Sequence, residues 1–165
     1  MKKLHHLLLL LLPVLLLGQE IPGKKQFVHS VEIADSQENI WNALTDFSNF
    51  KLWDENVVDV RCDGALKKRQ NCQVIVENGK IFEVEILEIV DQESYTVRYQ
   101  LNTGMVYIKR RISPGTPLQL SETVWYKGMS KKTFEKYKGT AYAELQRKRL
   151  AGLKTYLEQE GLRGK

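Results

Sequence analysis

Two oppositely charged residues set among aliphatic neighbours are the first place to look for chemistry. Arg110 lies in the segment Met105–Ile112 and Glu122 in Leu118–Tyr126, both of which alternate apolar and polar residues. A hairpin centred on Thr116 joins them and sets Arg110 opposite Glu122, Ile108 opposite Val124, Ile112 opposite Leu120 and Val106 opposite Tyr126. All of these share the apolar face, where a charge left without its partner is expensive. Two roles are open to the pair. Arg110 can anchor a carboxylate or hydroxyl of a bound molecule while Glu122 orients it, or the pair can be self-satisfied and hold the sheet register.

A second constellation is Cys62 and Cys72, the only cysteines in the chain. A hairpin that pairs them also sets Val60 opposite Val74 and Val58 opposite Val76, and puts both thiols on the apolar face. In an oxidising compartment they form a cross-strand disulfide; otherwise they are two buried free thiols. Beyond residue 18 the only histidine is His29, in the strand-like run Phe27–Ile33. A Ser–His–Asp or Cys–His device would have to use it, and a structural role fits its place better. The sequence holds no metal-ligand cluster and no phosphate-cradling glycine loop, so neither a metal nor a nucleotide cofactor is expected, and no catalytic residue is assigned. The apolar and aromatic residues expected to line any cavity are Trp41, Phe50, Trp53, Phe82, Tyr99, Ile108, Val124, Tyr126 and Tyr142.

These residues need elements to position them. Val28–Ile33 alternates as a strand, and Asp35 and Ser36 stand where a helix cap belongs, with Glu38 at capping-box spacing from Asp35. Ile40, Trp41, Leu44 and Phe47 continue at helical spacing, and a second short helical turn through Ser48–Trp53 brings Phe50 and Trp53 to the same core. Six strands then follow: Val57–Cys62, Cys72–Glu77, Ile81–Val90, Tyr95–Leu101, Met105–Ile112 and Leu118–Tyr126. Connections this short make antiparallel hairpins. At Glu77-Asn78-Gly79 a three-residue loop with a left-handed Gly79 sets Val74 opposite Phe82 and Cys72 opposite Val84. A two-residue loop would bury Glu83 and Glu85. From Ser130 to about Glu160 the pattern is helical, with Leu145, Leu150, Leu153 and Leu157 as its buried stripe. Gly152 in that helix costs about 1 kcal/mol relative to Ala; it either gives room for a ligand or a strand or is a tolerated surface residue.

The ends of the chain bear on location. Lys2 and Lys3 precede a run from Leu7 to Leu17 that is Leu and Val except for Pro13, the layout of a secretory signal peptide. That run is 11 residues, whereas a membrane-spanning helix needs about 20. The expected organisation is a signal peptide over 1–18, a polar arm over 19–25, one domain over 26–160 and a tail over 161–165. The expected location is exported, periplasmic or secreted in a bacterium. From Gln19 to Tyr126 there are 12 basic against 16 acidic residues, and from Lys127 to Lys165 there are 11 against 4. A basic C-terminal helix on a mildly acidic body can touch an anionic membrane or an acidic partner, or simply be a solvated face. No nucleic-acid-binding motif is present, and nucleic acid is not an expected partner.

The stretch Ile33-Ala34-Asp35-Ser36-Gln37-Glu38-Asn39-Ile40-Trp41, followed by Leu44-Thr45-Asp46-Phe47, resembles the opening of the START-like (SRPBCC) superfamily, and most closely its polyketide cyclase/dehydrase and lipid-transport branch. Asn49-Phe50-Lys51-Leu52-Trp53-Asp54 resembles the short aromatic helix that follows there. The likeness covers about Phe27 to Glu158. It implies an α+β, helix-grip fold: a curved antiparallel sheet of about seven strands wrapped around a long C-terminal helix, with two short helices after the first strand. It also implies a cavity for an apolar small molecule such as a lipid, sterol or polyketide. The expected function is therefore a non-catalytic binder or carrier of such a molecule. The alternatives are a cyclase/dehydrase-type enzyme using Glu122, Arg110 or a cavity tyrosine in proton transfer, and an interaction module acting through the basic helix.

Overall fold

The structure is a computed structural model that describes residues 26–64, 66–138 and 142–163. The expected signal segment and polar arm lie outside the described residues. Among the described residues seven strands form one antiparallel sheet: β1 (Gln26–Ile33), β2 (Val57–Cys62), β3 (Asn71–Val76), β4 (Ile81–Val90), β5 (Ser94–Leu101), β6 (Gly104–Ser113) and β7 (Leu118–Lys127). Their order across the sheet is β1-β7-β6-β5-β4-β3-β2. Between β1 and β2 come α1 (Gln37–Thr45) and a 3-10 helix (Phe47–Leu52); α2 (Lys131–Lys138) and α3 (Tyr142–Arg163) close the chain. This is the helix-grip arrangement, with a curved sheet around the C-terminal helix. Among the described residues no helix is long and apolar enough to cross a membrane.

Local chemistry explains the elements. Ser36 caps α1 by accepting the Asn39 backbone N–H on its Oγ at 3.1 Å, while Asp35 Oδ1 accepts from Ser36 N and Asn39 Nδ2 at 2.7 and 2.8 Å. Side chains alternate between the faces of β6 and β7, so Val106, Ile108, Arg110 and Ile112 point inward. They meet Tyr126, Val124, Glu122 and Leu120 in register. On the outer face Tyr107 stacks on Trp125 with ring centroids 5.2 Å apart. The β3–β4 connection has Gly79 at φ +75°, with Val74 opposite Phe82 and Cys72 opposite Val84.

Two local features depart from the pattern read above. A register shift between Val57 and Asp59 pairs Val57, not Val58, with Val76, and Val58 turns outward to 51% exposure. Within α3 the buried positions are Tyr142, Gln146, Leu150, Leu153 and Leu157, and Leu145 is only half-buried. The helix turns Tyr142 and Gln146 to the core, and that rotation carries Leu145 to the rim.

Gly152 marks the closest approach of α3 to the rest of the molecule. A Cβ built there would lie 2.3 Å from the Trp53 carbonyl oxygen, far inside van der Waals contact with backbone that has little freedom to yield. Gly152→Ala is expected to lower the unfolding free energy by about 1–3 kcal/mol through overpacking, although the same change in an unobstructed helix gains about 1 kcal/mol. Urea unfolding of the two proteins measures this. An alanine variant more stable than the parent would show that α3 can withdraw from Trp53 at no cost.

Candidate ligand-binding site

The sheet presents Arg110 and Glu122 at the middle of its inner face, beneath the 3-10 helix and α3. Arg110 is 4% exposed and Glu122 fully buried. Arg110 Nε donates to Glu122 Oε2 at 2.8 Å, and its Nη1 donates to the Tyr95 hydroxyl at 2.5 Å. Its guanidinium carbon lies 5.3, 5.2 and 5.8 Å from the ring centroids of Phe50, Trp53 and Tyr95, within cation–π range of all three. The 3-10 helix therefore lays its aromatic residues over a charge supplied by the sheet.

α3 brings a second arginine to the same place. Arg149 Nη2 stands 3.4 Å from Glu122 Oε1, and Arg149 Nη1 stands 3.6 Å from Asp54 Oδ2. Both distances exceed ordinary hydrogen-bond lengths, so charge holds Arg149 between the two carboxylates more than hydrogen bonding does. Gln146 Nε2 donates to the Glu122 backbone carbonyl at 2.7 Å and ties α3 to β7. Asp54 is itself fixed by accepting the Asn56 backbone N–H on Oδ1 at 3.2 Å.

Two arginines and two carboxylates thus share one desolvated region, and their charges balance. Burial works against the charge on Arg110, but Tyr95 and Glu122 more than offset it and hold the group above its usual range. Burial likewise opposes the charge of Arg149, and Glu122, Tyr142 and Asp54 raise it. Burial is the main influence on the neighbouring phenols. It pushes Tyr142 up to about 12 against the opposing pull of Arg149, and raises Tyr95 and Tyr99 as well. All three phenols stay neutral at physiological pH.

Beside this network the Trp53 Nε1 donor is buried without a protein acceptor, as is the Tyr126 hydroxyl in the cluster under α2, while Glu122 Oε1 is met by the charge of Arg149 at 3.4 Å. Buried polar groups are nearly always satisfied by protein, water or ligand, so the Trp53 donor is a place for a bound water or ligand oxygen.

The aromatic residues fall into separate groups. Phe50 and Trp53 join the charged network with rings 4.5 Å apart, and Trp41 meets Tyr95 edge-on at 6.4 Å. Tyr126 stacks on Phe134 at 4.5 Å, and Phe134 meets Tyr142 edge-on at 5.2 Å, making a second cluster under α2. Phe82 and Tyr99 pair at 6.3 Å. Ile108 and Val124, opposite each other on β6 and β7, are buried in the sheet's inner layer. Cys62 and Cys72 are joined by a disulfide across β2 and β3, with sulfurs 2.07 Å apart. His29 is half-buried on β1. Among the described residues no group of three or more His, Cys, Asp or Glu side chains is placed to hold a metal.

Sequence reasoning did not single out Tyr95, Asp54, Gln146 or Arg149. The signal for the last two was the spacing Tyr142, Gln146, Arg149, Leu153, Tyr156. Steps of four and three residues trace one helix face, and polar residues on it must face the core.

Beside the network, a cleft of ≈ 440 Å³ opens to the surface between the 3-10 helix and α3. Its lining includes Lys51, Leu52, Trp53, Arg149, Gly152 and Tyr156. Leu52 is 55% exposed at the rim.

This architecture is a START-like (SRPBCC) fold, and solved structures share it. A START superfamily protein from Mycobacterium smegmatis superposes with a TM-score of 0.64 at 17% identity, over 82% of this chain and 98% of that one. Norcoclaurine synthase from Thalictrum flavum, solved as a point mutant with a transition-state analogue, gives 0.64 at 10% identity, over 83% and 96%. DynU16, from the dynemicin biosynthetic locus, gives 0.64 at 15% identity over 82% of this chain, which spans 48% of that protein. No protein-family profile and no curated protein matches the sequence.

Proposed function

We propose that the protein is a non-catalytic carrier of an apolar small molecule, held between the sheet and α3 with the Arg110–Glu122–Arg149 network at its polar end, and that it works outside the cytoplasm. The observation that carries this reading is the charged network of Arg110, Glu122 and Arg149 buried between the sheet and α3, with the Trp53 Nε1 donor beside it left without a protein acceptor. Such a donor costs roughly 1–3 kcal/mol when left unmet, and an oxygen of a bound molecule would meet it. The START-like fold supports it, being a ligand-binding scaffold. In this reading Arg110 works through Glu122 and the aromatic rings, because its own donors are largely engaged, and Phe50, Trp53 and Tyr142 supply apolar contact. The signal-peptide layout of residues 1–18 and the Cys62–Cys72 disulfide support an exported location.

The fold alone does not choose between carrier and enzyme, since one neighbour is named a synthase. Native mass spectrometry of the protein purified from an exporting host separates them. A small mass that travels with the folded protein and is lost on denaturation is the expected result. A protein that is empty, and stays empty when offered fatty acids, sterols and aromatic polyketides, would overturn the carrier reading.

A further inference from the structure

We propose that the cleft between the 3-10 helix and α3 is the mouth of the site, and that it selects an amphiphile with a carboxylate head group, received by Arg149. This rests on the carrier reading and adds the ligand's class and its route.

Trp53 Nε1, on a residue that lines this cleft beside Arg149, is a buried donor without a protein acceptor. Trp53 is 4% exposed and the Arg149 side chain 13%. A buried donor without an acceptor asks for an oxygen, not for another N–H. The terminal guanidinium nitrogens of Arg149 face Glu122 and Asp54 only at 3.4 and 3.6 Å, so the group is free to tighten onto an incoming acceptor. Arginine is the side chain best shaped for a carboxylate.

Charge around the mouth sets the sign of the ligand. Lys51 and Lys148 line the cleft with Arg149, and Arg110 lies behind Trp53. The acids facing the same region are Glu55 on the rim, 3.9 Å from Lys148 Nζ, and Asp54 and Glu122 behind Arg149. Four basic groups against three acidic ones leave a single positive charge in excess, which an anionic head neutralises. Exposed Leu52 and the Tyr156 ring supply an apolar wall for the chain that follows the head. Gly152, which presents no side chain, lets α3 pass close against the Trp53 carbonyl at the floor of the cleft.

Isothermal titration of the delipidated full chain with dodecanoate, dodecanol and dodecyltrimethylammonium tests this. Dodecanoate is expected to bind about tenfold or more tighter than dodecanol, the gain of a charge-assisted over a neutral hydrogen bond, and the cation weakest. Arg149→Gln should remove the preference for dodecanoate over dodecanol. Lys148→Gln, at an exposed rim position, should weaken dodecanoate about twofold, more at low salt. That variant and the wild-type ligand series keep the test open if Arg149→Gln fails to fold. Equal affinity for acid and alcohol, or preference for the cation, overturns the carboxylate assignment and leaves the carrier reading intact. If none of the three binds, the carboxylate assignment fails, and the carrier reading rests on the native mass spectrometry described above.

Discussion

Replacing Glu122 with Ala is expected to lower the unfolding free energy by about 3–5 kcal/mol, the range for a buried ion pair that loses one partner. Glu122 is fully buried and answers two arginines, Arg110 through a 2.8 Å hydrogen bond and Arg149 across 3.4 Å. Its removal leaves both cations in an apolar layer, with Asp54 the only remaining carboxylate in the network. Arg110→Met should cost less. Glu122 then keeps Arg149, and the methionine still packs against Phe50 and Trp53. Guanidinium unfolding of the two variants checks the order as well as the size. A Glu122→Ala protein within about 1 kcal/mol of the parent would mean that water reaches the network freely. The balance of charge described above would then carry no weight in stability.

The second large effect belongs to the disulfide. Cys62 and Cys72 are 10 residues apart, and closing a loop of that size stabilises by about 2–3 kcal/mol in the chain-entropy account. The double variant Cys62→Ser/Cys72→Ser is expected to lose that amount and somewhat more, because Cys72 is 1% exposed and a serine hydroxyl there has little access to water. The bond also secures β2, a short edge strand with a register shift on which the 3-10 helix packs. Loosening it should therefore disturb Phe50 and Trp53. Thermal unfolding with and without a thiol reductant, followed by tryptophan fluorescence, measures both consequences. Identical curves in the two conditions would show that the crosslink contributes nothing to the fold.

Some of this architecture was legible in the residues because strand parity is unforgiving. Once the turn was centred on Thr116, every inward side chain of β6 found its partner on β7, and a one-residue slip would have buried Lys109 and Arg111. The same argument placed Phe82 against Val74 and, given Cys62 opposite Cys72, Val60 against Val74. It failed at Val58, because a bulge shifts pairing without leaving a mark in the alternation. The charged network was half visible. Arg110 and Glu122 interrupt apolar strands and so draw attention. Arg149 and Gln146 sit in a helix rich in Lys, Arg and Glu, where nothing in composition separates an inward charge from a solvated one. Asp54 is met by α3, far away in sequence, and local pattern holds no record of that, whereas Tyr95 faces Arg110 across the neighbouring β5–β6 hairpin, where strand parity could have placed it.

The strand order carries a consequence for how the chain reaches this state. β1 and β2 are the first two strands made, yet they form the two opposite edges of the sheet, and β1 pairs only with β7. Gln26 meets Trp125, so the first strand must wait for nearly the whole domain to be synthesised before its hydrogen bonds exist. The hairpins from β2 to β7 are all between neighbours in sequence and can zip one after another, while docking of β1 closes a loop of roughly a hundred residues at a real entropic cost. Loop-closure entropy thus favours forming the β2–β7 hairpins before the amino-terminal strand docks.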